Sequence, residues 1–192
     1  MIADTKGGFN DLKYPTKQNC KNMKEFILWN DMLRRCVIGG YIQEKYPRYK
    51  DCGVSDNFKY YTYFYEWCNQ QIGFGLDGWH LDKDILIKGN KIYSENNCVF
   101  VPSDINAVFT KSNSTRGLYP IGVSRIRNKF RARCNVSGVY IRIGSYCTPE
   151  EAFYAYKEVK ELYIKTLADK YKAVIDTRVY EAMYRYEVEI TD

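Results

Sequence analysis

Between Lys111 and Cys147 the chain has no aspartate or glutamate, although Lys111, Arg116, Arg125, Arg127, Lys129, Arg131, Arg133 and Arg142 all fall there. The whole chain of 192 residues carries a net charge of only +6. A one-sign block so rich in arginine points to a polyanionic partner, the alternative being a solvated basic face without one. Histidine is nearly absent: His80 is the only one. That excludes a histidine-rich metal site and makes any imidazole chemistry a question about one residue. The seven cysteines (Cys20, Cys36, Cys52, Cys68, Cys98, Cys134 and Cys147) include no CxxC pair and are odd in number. A disulfide framework is therefore not expected, and most should be buried thiols. A structural zinc on Cys20, Cys36 and Cys52 is the weaker alternative, because zinc sites usually show closely spaced ligand pairs. No run of about 18 apolar residues occurs, and MIADTKGGFNDLKYP has no apolar core of a signal peptide. A soluble protein working inside a cell, with no membrane partner, is expected.

What is present reads as α+β. Residues 1 to 21 look irregular. Phe26, Trp29, Leu33 and Cys36 then fall on one helical face, with Gly39 and Gly40 as stop signals and YPRYKD as a loop. Ser55 is placed to cap a second helix presenting Phe58, Tyr61, Tyr65, Cys68 and Ile72, broken by Gly73, Gly75 and Gly78. The 19 tyrosines are read mostly as core packing.

The basic block has strand rhythm. In NKFRARCNV, Phe130, Ala132 and Cys134 alternate with Arg131 and Arg133. In GVSRIR, Arg125 and Arg127 share one face, and in VYIRIGSY, Ile141 and Ile143 alternate with Arg142. Asn128 and Ser137-Gly138 supply turns. Thr148-Pro149-Glu150-Glu151 is a capping box with proline at the first helical position. Ala152, Tyr156, Val159, Tyr163 and Leu167 follow as an apolar stripe. The expected unit is a three-stranded antiparallel sheet packed on one helix, its other face carrying arginines. Such a face suits guanine edges in a DNA major groove, with Lys129 and some arginines on phosphate.

RGLYPIGVSRIRNKFRARCNVSGVYIRIGSYCTPEEAFYAYKEVK, residues 116 to 160, resembles the AP2 DNA-binding domain. The resemblance rests on the G-V opening, the K-F-R-A-R strand, the I-x-x-G-S-Y strand and the T-P-E-E-A helix start. It implies duplex DNA in contact with Arg125, Arg127, Arg131, Arg133 and Arg142. The sheet tryptophans of some members are absent, so no base preference carries over.

Residues 78 to 109, GWHLDKDILIKGNKIYSENNCVFVPSDINAVF, hold four asparagines, three of the aspartates and the single histidine. A strand over Trp79 to Leu86, a loop at Gly89-Asn90, a strand at Cys98 to Val101 and a helix opened by Pro102-Ser103 are expected. Asp82 and Asp84 offer oxygen to Mg²⁺ or Mn²⁺. This order resembles the ββα-metal site of phage HNH homing endonucleases. The W-x-x-M-x-x-R-C, YPRYKDC, LDKDIL-x-x-GNK-x-YS and CVFVP-x-x-IN runs extend the likeness over nearly the whole chain. The resemblance implies Asp82 and Asn106 as metal ligands, with Asp84 a further candidate, and Asn97 and Asn106 at the family's spacing. Lys83 stands where the general-base histidine belongs. His80, which in a strand shares a face with Asp82, competes with Lys83 for that role.

The expected arrangement is a nuclease unit over residues 1 to 110, an AP2-like unit over 111 to 172, and a tail or short helix over 173 to 192. The expected function is metal-dependent nicking or cutting of double-stranded DNA by a monomer or homodimer in the cytoplasm of a phage-infected cell. The alternative is a catalytically degenerate relative that acts only by binding DNA, as a regulator or an inhibitor of a host system.

Overall fold

The computed structural model describes residues 2–3, 7–110 and 118–192; Lys111 and Arg116 of the basic block lie outside the described residues. The chain divides into two compact units, Met1–Ser103 and Asp104–Asp192. Among the described residues no helix is long and apolar enough to cross a membrane.

The first unit opens with two small antiparallel pairs, β1 (Ile2–Ala3) with β2 (Phe9–Asn10) and β3 (Lys17–Gln18) with β4 (Lys21–Asn22). Helix α1 (Lys24–Cys36) buries Trp29 and Leu33 of the predicted face together with Met32, while Phe26 and Cys36 are half-buried against the same core. YPRYKD is less irregular than expected: α2 (Tyr41–Lys45) precedes it and Pro47–Tyr49 winds one 3₁₀ turn. After β5 (Gly53–Val54), Ser55 does not cap an α-helix: a 3₁₀ turn at Asn57–Lys59 follows with Asp56 at its N-terminal boundary, and Ser55 Oγ accepts the Phe58 N–H at 3.4 Å. Helix α3 (Tyr61–Gln70) buries Tyr61, Phe64, Trp67 and Cys68. Ile72 is not on its face. The helix stops before it, the chain turning at Gly73 with φ +86°, and the Ile72 side chain is exposed. Trp29 fills the centre of this core, its indole N–H donating to the Phe58 carbonyl at 2.9 Å.

Strand β6 (Trp79–Asp82) pairs antiparallel with β8 (Val99–Pro102), and β7 (Ile92–Tyr93) between them pairs parallel with the distant β5. Leu81, Phe100 and Trp79 point into the aromatic core. β6 is four residues long, not eight, because Asp82 itself ends it, as described below.

In the second unit, α4 (Ser103–Phe109) precedes β9 (Val123–Ile126), β10 (Lys129–Val136) and β11 (Val139–Tyr146), which form one antiparallel sheet in the order β11-β10-β9. Helix α5 (Pro149–Tyr171) covers one face. It starts at the predicted capping box, with the Thr148 hydroxyl accepting from Glu151 N–H. Ala132 and Cys134 of the sheet meet Ala152, Phe153 and Tyr156 of the helix. Beyond this cluster the buried residues of α5 are Ile164, Leu167 and Ala168 rather than Val159 and Tyr163, because the sheet ends and α6 (Thr177–Arg185) takes over with Val179 and Met183.

The expected boundaries near 110 and 172 do not divide the units. Helix α4 is tied to α5: Lys170 Nζ and the Tyr171 hydroxyl donate to Asp104 at 3.0 and 2.8 Å, and Lys160 Nζ donates to the Val108 carbonyl. The tail packs in the same unit, with Phe109 edge-on to Tyr186.

Candidate functional site

Asp82 terminates its own strand. Its Oδ1 accepts the N–H of Asp84 at 2.9 Å and of Ile85 at 2.8 Å, the backbone turn that aspartate side chains favour. The loop that follows is closed by Asn90. Its Nδ2 donates to the carbonyls of Lys83 (2.6 Å) and Ile92 (2.8 Å), while its Oδ1 accepts from the Ile92 N–H (3.2 Å) and from Asn97 Nδ2 (3.3 Å). One amide thus satisfies four groups across the loop. Asn90 is missing from the residues singled out in the sequence, where Gly89-Asn90 passes for an ordinary turn. Asn97, expected at the chemistry, is a brace for Asn90.

Lys83 is 6% exposed. Its ammonium donates to Asp84 Oδ2 and to the Asn90 carbonyl, both at 3.0 Å, and lies 5.7 Å from the Tyr93 ring centroid. A general base needs a lone pair directed at water. The Lys83 nitrogen instead has its protons shared among protein acceptors, so the geometry suits a clamp on the loop and speaks against Lys83 as the base. The same bond draws Asp84 toward Lys83.

His80 has a different setting. It is exposed, and its Nε2 lies 3.0 Å from Ser103 Oγ. The Ser103 hydroxyl lies 2.6 Å from the Gly78 carbonyl, an acceptor only, and so spends its one proton there. Ser103 Oγ must then accept from His80 Nε2–H, and in a neutral ring the lone pair is the one on Nδ1. Ser103 is the second residue that sequence reasoning missed; it read only as a helix start. His80 and Asp82 pair across the hairpin with Val101 and Val99. They therefore share the face opposite Leu81 and Phe100, about 6–7 Å apart along the strand.

Compared with protein-family models, curated proteins and solved structures, the chain matches none. The chemistry of the site rests on its own electrostatics. Burial, and then the neighbouring Asp84 carboxylate, push the Asp82 carboxyl up to about 6; the N–H groups of Ile85 and Asp84 and the charge of Lys83 oppose this. Among the described residues no group of three His, Cys, Asp or Glu comes together, so Cys20, Cys36 and Cys52 offer no zinc cluster there. Cys20 is exposed and Cys52 buried. Asn106 lies one turn into α4, its carbonyl accepting the Thr110 hydroxyl, and belongs to the second unit.

The sheet sorts the cations differently from the expectation. Lys129, Arg131 and Arg133 alternate with Phe130, Ala132 and Cys134, and Arg133 stands opposite Arg142, so these four occupy the face away from α5. Arg125 does not join them. It pairs with Phe130, which puts it on the helix side at the sheet edge, where its Nε donates to the Arg127 carbonyl. Arg127 sits in the turn at φ +53°, so the strand alternation stops before it. A register shift after Ala132 moves Ile141 opposite Cys134, and Ile141 remains exposed. Arg133 stacks 5.3 Å from the Tyr140 centroid, and Arg131 Nε is buried with no acceptor among the described residues.

Proposed function

We propose that the protein is a divalent-metal-dependent DNA endonuclease of the HNH type, of the mobile phage kind, which holds duplex DNA through the arginine face of its AP2-like sheet. The observation that carries this reading is the placement of His80 and Asp82 on one face of the β6–β8 hairpin, the imidazole held through Nε2 at Ser103 and the carboxylate through Oδ1 by two backbone N–H groups.

The chain offers a hard cation carboxylate oxygen and no cage of three acidic or imidazole side chains among the described residues. Mg²⁺ is commonly held by one or two carboxylates plus phosphate oxygens and water, without an all-protein cage. Asp82 would hold it, with Asp84 within the same turn. When bound, such an ion supplies charge stabilisation at the scissile phosphate and its leaving oxygen. The protein's own part is positional. His80 Nδ1 takes a proton from the attacking water, while Ser103 fixes the ring and its tautomer. The two N–H groups on Asp82 Oδ1 hold the carboxylate in place, and Asn90, Asn97 and Lys83 keep the loop in one conformation. Lys129, Arg131, Arg133 and Arg142 contact the duplex, with arginine suited to bidentate bonds with guanine or phosphate.

The buried, ion-paired Lys83 at the position where the family carries its base favours a second reading, a DNA-binding protein without cleavage. Supercoiled plasmid incubated with Mg²⁺ or Mn²⁺ separates the two. Nicking that disappears in Asp82→Ala and His80→Ala, and persists in Lys83→Met, supports the endonuclease; Asn106→Ala tests the helix position. A wild type that shifts duplex DNA on a gel but never cuts it leaves the binding protein.

A further inference from the structure

We propose that the first unit carries a second DNA contact, a phosphate-binding ridge over α2 and the following 3₁₀ turn, which leads the duplex backbone to the Asp82 loop. The inference rests on the reading that the chain binds DNA.

Residues 34 to 50, RRCVIGGYIQEKYPRYK, contain five cations (Arg34, Arg35, Lys45, Arg48 and Lys50) and one acid, Glu44. Cations and rings alternate here in space. Lys45 Nζ lies 5.3 Å from the Tyr41 ring and 5.6 Å from that of Tyr46. The Arg48 guanidinium lies 5.5 Å from Tyr46 and 5.0 Å from Tyr49. Among the described residues no carboxylate comes within ion-pair distance of Lys45 or Arg48. Exposed cations of a globular surface are usually interspersed with acids; these two are held by rings and lack a counter-charge.

The series continues inward. Arg35 lies 5.3 Å from Tyr49 and donates to the Tyr93 hydroxyl at 3.4 Å, and Tyr93 is the ring against which Lys83 rests. The ridge therefore ends on the ammonium that closes the Asp82 loop. Its outer end is open, Tyr41 being 65% and Tyr46 39% exposed.

The chemistry distinguishes phosphate from base as the ligand. Rings that stack bases need an open face. The faces of Tyr46 and Tyr49 each meet two cations of their own chain, so the rings act as braces. A guanidinium lying on a ring keeps its N–H edge free in a fixed plane, which suits bidentate phosphate contact. The occupant is the sugar-phosphate backbone of a duplex, contacted without regard to sequence.

The test is the salt dependence of duplex binding by the full chain, followed by fluorescence anisotropy on a labelled mixed-sequence duplex without divalent metal. Two lost phosphate contacts lower the slope of log K against log salt by about 1.8. Lys45→Ala/Arg48→Ala should show that reduction while keeping the contribution of the sheet arginines. Tyr46→Leu should weaken binding severalfold with the slope nearly unchanged, since it removes the brace and not the charge. A wild type that does not bind duplex DNA overturns this proposal together with the endonuclease reading. A wild type that binds, with a double variant of unaltered slope, overturns the ridge alone. Loss confined to single-stranded DNA, with Tyr46→Leu costing more than the double variant, overturns phosphate bracing in favour of base stacking.

Discussion

Replacing Asp82 by Asn should stabilise the metal-free protein while abolishing cleavage. Asn keeps an oxygen to accept the N–H groups of Asp84 and Ile85 and removes a charge that burial and Asp84 disfavour. The Asp82 carboxyl is raised to about 6 from an ordinary value of about 3.9, a difference worth roughly 3 kcal/mol of folding free energy when the group is ionised. The sign follows from proton counting. Below about pH 3 the group is protonated folded and unfolded, and no penalty exists. Between about pH 4 and 6 the folded state binds more protons, so stability falls as pH rises. Above about pH 7 the penalty is complete. Solvent relaxation reduces it, so a gain of about 1–3 kcal/mol is expected for Asp82→Asn at pH 7.5, against almost none at about pH 3. For a unit of about 100 residues this raises Tm by at least about 4 °C. Thermal unfolding of both proteins in EDTA across that pH range measures it. Addition of Mg²⁺ or Mn²⁺ should raise the Tm of the wild type and leave the variant unmoved, since only a ligand bound to the native state stabilises it. A variant no more stable than wild type at pH 7.5, or a difference independent of pH, would refute a carboxylate held under strain for a cation.

Other perturbations probe the neighbouring parts. His80→Ala should lower the cleavage rate by about 10²–10⁴-fold without changing duplex affinity, and Ser103→Ala should cost less and alter the pH–rate profile, because it frees the ring to change tautomer. Asn90→Ala leaves the carbonyls of Lys83 and Ile92 without their donor and should cost about 1–3 kcal/mol in denaturant unfolding; an unchanged midpoint would remove Asn90 as the loop clamp. Arg133→Ala and Arg142→Ala should each lower the salt slope by about 0.9 if they meet phosphate, or relax sequence preference with little change of slope if they meet guanine. Thr148→Ala breaks the capping box of α5 and should cost about 1 kcal/mol, with no effect on cleavage at temperatures where the fold holds.

Local pattern was enough for the elements whose signal is short-range. The α1 face, the sheet of β9 to β11 with its turns, and the capped start of α5 follow from periodicity and cap chemistry within a few residues, because the backbone responds there to its immediate neighbours. Ile72 was misplaced because the apolar spacing continued past the point where the chain leaves the helix at Gly73. Arg125 and Arg127 were misplaced because alternation stops when a turn takes a positive φ, and the residue at which it stops is set by strand register.

The candidate site was legible as a set of residue types and not as a set of roles. That His80 and Asp82 share a face follows from their spacing on one strand, with Asp84 in the turn beyond it. That the Lys83 ammonium reaches the Asn90 carbonyl, that Asn90 closes the loop with Asn97 as its brace, and that Ser103 holds the His80 ring depend on contacts between residues 7 to 23 positions apart. The parallel pairing of β5 with β7 and the cation–ring series from Lys45 to Lys83 have no local signature, because they arise where separate segments are packed on one aromatic core. Sequence alone determined which chemical groups the protein has and which short elements carry them. Tertiary structure decided which of those groups are already satisfied by the protein and which are left to act on something else.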